Sequence, residues 1–169
     1  MRTITILFFC FVVLFIVSCA NFFAYDYSNP HKYATTYREV DSGLELYVQE
    51  FEKYYGKKIT FKVKLSIFPA YAAEIARCAS WKNGRRLVEV DLKFYNSHNG
   101  IGKSLTIEQV MMHELGHCVL NRDHNDREYR FKRGEIGRES VMSTHSFDFA
   151  ELRLYRKYRD YYIKELFKK

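Results

Sequence analysis

The chain has 169 residues, 47% of them hydrophobic and 17% aromatic, and a formal net charge of +7. That apolar content excludes a disordered chain, and the length suffices for one domain with a real core, about 150 residues once an apolar leader is set aside. The basic balance suits an acidic partner or membrane surface, but no nucleic-acid fold signature accompanies it, so a solvated basic face and no nucleic-acid partner are expected.

Residues 1–19 read as a leader. Arg2 precedes an apolar run from Ile4 to Val17, which suits a signal-peptide core and is short of the roughly 20 residues of a membrane span. The junction Ile16-Val17-Ser18-Cys19 resembles a bacterial lipobox. That resemblance implies a signal peptide over 1–18 and lipidation at Cys19 at a bacterial cell envelope; residues 19–36, polar and aromatic with one proline, read as a tether, and 37–169 as a single domain. An uncleaved anchor extended by Phe22 and Phe23, or a plain secretory signal, are the alternatives. All three put the domain outside the cytoplasm.

The domain opens with a helix. Ser42 and Glu45 have capping-box spacing, Leu44, Tyr47, Val48, Phe51, Tyr54 and Tyr55 share one face, and Gly56 ends it. Ile59, Phe61, Val63, Leu65 and Ile67 alternate as a strand closed by Pro69. Residues 74–81 and 85–94 form a predicted hairpin about Lys82-Asn83-Gly84. Val88, Val90, Leu92 and Phe94 point inward there, with Glu89, Asp91 and Lys93 outward, as in a half-buried strand. A helix is expected over 106–120, with Thr106 and Gln109 as its capping box and Ile107, Val110, Met111, Leu115, Val119 and Leu120 as its apolar stripe. One long helix over 148–167 closes the chain, with Phe149, Leu152, Tyr155, Tyr158, Tyr162 and Leu166 inward. No repeat or second domain is evident, and a monomer is expected.

The run His113-Glu114-Leu115-Gly116-His117 carries the chemistry. Histidines four apart on a helix lie one above the other and can reach one metal ion. Glu114, beside the first, is placed to act on a water at the metal rather than to bind the metal. With 6 histidines in the chain, chance yields such a motif in only about 2% of comparable sequences, so incidental histidines on a solvated helix are the weaker explanation.

The motif and its flanks resemble the metzincin zinc peptidases, whose extended pattern is HExxHxxGxxH. The resemblance spans roughly residues 58–147 and is motif-specific from 113 to 143. Here Leu120 stands where the family has glycine, and Asp123 where it has the third histidine. Two registers are open. The helix runs one residue longer, Asn121 makes the turn, and His124 is the third ligand; or the register is unshifted and Asp123 binds, as in the snapalysin branch. The first is preferred, because Asn tolerates left-handed backbone angles and imidazole is a common zinc ligand. Ser140-Val141-Met142-Ser143 looks like the family's Met-turn, which makes Met142 a packing residue beneath the metal. The resemblance implies an α+β, metzincin-like zincin fold: a small twisted mixed β-sheet, an active-site helix, a Met-turn and a C-terminal helix. It also implies that an edge strand, here 75–81, pairs with an extended substrate.

Four cysteines are present. Cys10 lies in the leader and Cys19 is the lipidation candidate. Cys78 and Cys118 either pair, tying the cleft strand to the motif helix, or remain buried thiols. Cys118 faces away from His117 on the helix and is not taken as a ligand.

The expected function is a zinc-dependent endopeptidase acting on a protein or peptide. His113, His117 and His124 hold Zn2+, and Glu114 is general base and then acid. A related reading resembles the gluzincins, with Glu135 or Glu139 as third ligand, although Gly134 and Gly137 disfavour the helix it requires. The reading of another class is a non-catalytic surface lipoprotein that uses the scaffold for binding. Retention of Glu114 argues against it, as does His145 being the only spare histidine nearby in the sequence for a fourth structural ligand.

Overall fold

In the computed structural model, residues 29–98 and 104–168 are described; the leader, with Cys10 and Cys19, lies outside them. The architecture is a mixed α/β fold: a small mixed sheet, a two-stranded hairpin and five helices. In chain order these are β1 (Glu39–Val40), α1 (Glu45–Tyr55), β2 (Lys62–Ser66), β3 (Ala76–Ser80), β4 (Arg86–Asp91), α2 (Leu92–His98), α3 (Ser104–Leu120), β5 (Glu128–Arg130), β6 (Ile136–Arg138), α4 (Phe149–Lys157) and α5 (Arg159–Leu166). The main sheet runs β1-β2-β4-β3. Its first three members are parallel, and β3 is an antiparallel edge.

The motif helix α3 packs on β3, β4 and α1. Met111, Met112 and Leu115 join Val48, Phe51 and Val88 in one core with Met142, Tyr162 and Leu166. This core holds the last helix and the 140–144 turn beneath α3.

Several local expectations are corrected. The Ser42 capping box does not form: Leu44 flanks α1 with no side-chain cap. Asp41 is instead committed to β2, donating its amide to the Val63 carbonyl and accepting the Leu65 amide on its carboxylate at 2.7 Å. That forces residues 41–44 into a turn, and Glu45 pairs with Arg38. Thr106 does not cap α3 either, since the helix already includes Ser104.

The hairpin forms, with Gly84 at φ 80° in its turn, but Leu92 and Phe94 belong to α2. Asp91 ends the strand by accepting the Phe94 amide at 3.0 Å. Strand β4 is not half-buried, because Glu89 is 0% exposed. Its carboxylate is satisfied by Ser66, Lys64 and Arg77. Part of that face is covered by chain expected to be tether: Tyr33 lies under the Lys64 ammonium at 4.2 Å, and Thr35 bridges to Arg86. Ile67 falls beyond β2 and is exposed.

The terminal helix is broken at Tyr158, whose φ and ψ are −117° and 28°. The Tyr158 ring stacks on Phe131 of the hairpin at 4.1 Å and its hydroxyl bonds Glu135, contacts that a straight helix has no need to satisfy. Phe149 is 80% exposed rather than inward. Asp148 caps α4 in a capping box with Glu151, and the β5–β6 hairpin turns at Gly134 with φ 82°.

Candidate metal centre

Helix α3 ends because Asn121 adopts a left-handed backbone, φ 53°, the sole such non-glycine residue among those described. A short polar side chain tolerates this conformation better than most. The reversal carries the Arg122 carbonyl back to His117 Nδ1 at 2.6 Å and brings His124 over the helix. His113, His117 and His124 each then offer a ring nitrogen, all within 4.8 Å of one another. They form the one such group among the described residues.

The ring protons are placed by their partners. A carbonyl only accepts, so the Nδ1 that contacts it is the protonated nitrogen. His113 Nδ1 donates to the Val141 carbonyl at 2.9 Å and His117 Nδ1 to that of Arg122. In these two neutral rings Nε2 is left bare, yet His117 Nε2 lies 3.0 Å from His113 Nε2, with His124 Nε2 3.2 Å away on the other side. Lone pairs at that separation repel unless a cation lies between them. The donor set therefore fits a metal ion, with carbonyls orienting two of the three ligands. Burial is the largest influence on both helix histidines, pushing His113 down to about 4 and lowering His117. Both are neutral, as ligands must be, at physiological pH.

Asp123 is exposed and is not among the three residues whose ligand atoms converge; His124 is. Glu135 is bound to Lys157 and Tyr158, and Glu139 to Asn125 and Arg127, so neither reaches the site. Hairpin β5–β6 occupies the segment where the gluzincin-like reading needs a helix.

Gly116 lets the 140–144 turn approach. A Cβ there would lie 2.6 Å from Met142 Sδ and 3.0 Å from Leu166 Cδ1. Met142 is fully buried against this glycine, a packing role. The turn is pinned to the loop after His124: Asp126 accepts from the Ser143 hydroxyl and from the Thr144 amide and hydroxyl, and Met142 accepts the Asn125 amide.

The triad opens into a cavity of about 630 Å³ between residues 73–78, which lead into and begin the edge strand β3, the helix α3, and residues 143–146. His145 is exposed on its wall. Glu114 lines it too, 8% exposed. Burial is the main reason its carboxyl is pushed up to about 8; the Cys78 amide that it accepts works the other way, and Glu74 adds to the rise. Cys78 and Cys118 are joined as a disulfide between β3 and α3, Cα atoms 5.6 Å apart.

Sequence reasoning missed the two carbonyls that orient the histidines, and Asp126. It also gave Gln109 a capping role, whereas this buried residue lines the cavity. Its position one turn before His113 on the same face was the available signal. Compared with family models, curated proteins and solved structures, the chain matches none.

Proposed function

We propose that this protein is a zinc-dependent endopeptidase of metzincin type. The observation that carries the reading is the convergence of three imidazoles, His113, His117 and His124, beside the buried Glu114 in a cavity bordered by an edge strand. Three imidazoles with no carboxylate ligand suit zinc better than magnesium or calcium, which prefer oxygen. When bound, zinc supplies Lewis acidity, making water more acidic and polarising the scissile carbonyl.

The chain's own residues do the rest. Glu114 takes the proton of the attacking water. Buried on the cavity wall beside the triad, it then delivers that proton to the departing amine nitrogen. The outer edge of β3 borders the cavity and can pair with an extended peptide through backbone hydrogen bonds, leaving side-chain selection to the cavity. The disulfide supports an oxidising compartment. It fits the proposal that the apolar run Ile4–Val17 and Cys19 direct the domain to the outer face of a bacterial membrane.

The test is cleavage of an unbiased peptide library by the zinc-loaded protein against a Glu114→Ala control. Cleavage by the wild type alone supports the peptidase. Zinc binding by both proteins with cleavage by neither would sink it and favour a binding scaffold.

A further inference from the structure

Strands β1, β2 and β4 are parallel, so their first residues, Glu39, Lys62 and Arg86, share one end of the main sheet. The β3–β4 turn and residues 32–35 close that same end. Thr35 bridges to Arg86, and the Arg85 guanidinium donates to the Ala34 carbonyl at 2.8 Å. Lys57 follows Gly56, which ends α1, and leads into β2 there. Basic side chains gather at this end, and only some are balanced. Arg38 pairs with Glu45 and Glu52, Lys58 with Glu52, and Lys62 with Glu39. Lys32, Lys57, Lys82, Arg85 and Arg86 have no acidic partner among the described residues, and the three lysines are exposed. Like charges crowded in this way repel one another, and an anionic partner relieves the repulsion.

The position of this face in the chain says what the partner is. Asn29, the first described residue, follows Cys19 by ten positions, a reach of at most about 35 Å. A tether at Cys19, or in the apolar run before it, therefore brings a membrane to this end of the sheet. Tyr37, 62% exposed, and the half-buried Trp81 add rings of the kind that settle at a membrane–water interface. A second basic group, Arg130, Lys132 and Arg133, lies on the separate β5–β6 hairpin and has no tether beside it in the chain.

We propose that this basic end of the sheet rests on an anionic membrane surface, with Lys32, Lys57, Lys82, Arg85 and Arg86 against the lipid headgroups. The inference rests on the proposed membrane placement and is independent of the peptidase reading. Attraction to anionic lipid fades within a Debye length, so it acts on the residues that the tether holds near the surface. Tether and basic face then supply the two signals that a stable peripheral attachment needs.

The experiment makes the full-length chain in the presence of vesicles, either phosphatidylcholine alone or phosphatidylcholine with an equal part of phosphatidylglycerol. Amine acylation is then read lysine by lysine by mass spectrometry. On the anionic vesicles Lys32, Lys57 and Lys82 are expected to react about fivefold more slowly than on the neutral ones, the Boltzmann factor of one basic side chain's attraction to such a surface. Lys93, exposed on α2 beyond the opposite end of β4, should react alike on both. High salt should remove the protection, and Lys32→Glu with Lys82→Glu should return Lys57 to its neutral-vesicle rate. Equal reactivity of the three lysines on both vesicles overturns the inference. So does protection of Lys93 or Lys132 that matches theirs, and so does equal protection by free DNA in place of vesicles. Flotation with neutral vesicles reads the tether separately. Flotation without protection on anionic vesicles keeps the tether and overturns the basic face, whereas protection on anionic vesicles without flotation on neutral ones does the reverse.

Discussion

His113 and Val141, 28 residues apart, are joined by a 2.9 Å hydrogen bond from the imidazole Nδ1 to the backbone carbonyl. The turn that carries Met142 therefore both fills the space beneath α3 and fixes the tautomer of His113. His117 is oriented in the same way by Arg122, so two loops, each at one side of the helix, aim two Nε2 atoms at one point.

His124→Ala is expected to lower zinc affinity about 100-fold or more, beyond the 10–100-fold typical of an orienting partner. Asp123→Ala, at an exposed residue outside the triad, is expected to change it by no more than about twofold, well under that same range. Competition titration with a chromophoric chelator reads both. Equal loss in the two variants would restore the unshifted register.

Removing the metal is expected to lower the melting temperature, since a ligand that binds only the folded state stabilises it by mass action. Calorimetry with and without chelator checks this, and His113→Ala should erase the difference.

Asn121 tests the helix stop. Its φ of 53° costs a β-branched residue more than it costs Asn or Gly. Asn121→Gly should lie within about 0.5 kcal/mol of wild type, whereas Asn121→Val should destabilise by about 1–3 kcal/mol. The valine variant should also weaken zinc binding, because the turn presents His124. Urea denaturation and metal titration of both variants decide it.

Gly116→Ala drives a methyl group onto Met142 Sδ and Leu166 Cδ1. Overpacking of this kind costs about 1–3 kcal/mol. Adding Met142→Ala should recover part of that loss, which a double-mutant cycle measures. Strict additivity would mean that Gly116 and Met142 are not in contact.

The Cys78–Cys118 bond closes a sequence separation of 40 residues, for which loop-closure entropy gives about 4 kcal/mol. Cys78→Ser with Cys118→Ser is expected to lose much of this. It should also speed amide exchange in β3, because the edge strand loses its covalent link to α3. Chemical denaturation and hydrogen exchange read the two effects.

Acid sensitivity should pass through Glu52, 5% exposed. Burial opposes its charge, but donors from Lys58, the Ile59 amide and Arg38 prevail and hold the carboxyl below its ordinary value. A folded value below the unfolded one stabilises above the unfolded pKa, about 4.3, and the contribution fades as pH falls through the folded value. Glu52→Gln is expected to cost about 1–3 kcal/mol at neutral pH and to flatten the acid limb of stability against pH.

The sequence by itself determined the parts whose physics is local. Histidines at positions 113 and 117 share a helix face whatever the fold. Asn121 was legible as the helix stop, and with it the approach of His124 to the two helix histidines, because tolerance of a left-handed backbone belongs to the residue itself. Asn83-Gly84 marked the hairpin for the same reason. Long-range contacts decided the rest. Ser42 and Thr106 had the right spacing for caps, but Asp41 was already bonded to β2 and α3 began earlier. Glu89 read as a solvent-facing residue until Lys64, Arg77 and Ser66 closed around it. Tyr158 broke a helix that its periodicity continued, because Phe131 and Glu135 gave its side chain better partners. Only the tertiary structure brought Val141, Asp126 and Gln109 to the centre. Their roles depend on backbone carbonyls and on hydrogen bonds between segments distant in the chain, which leave no periodicity in a sequence.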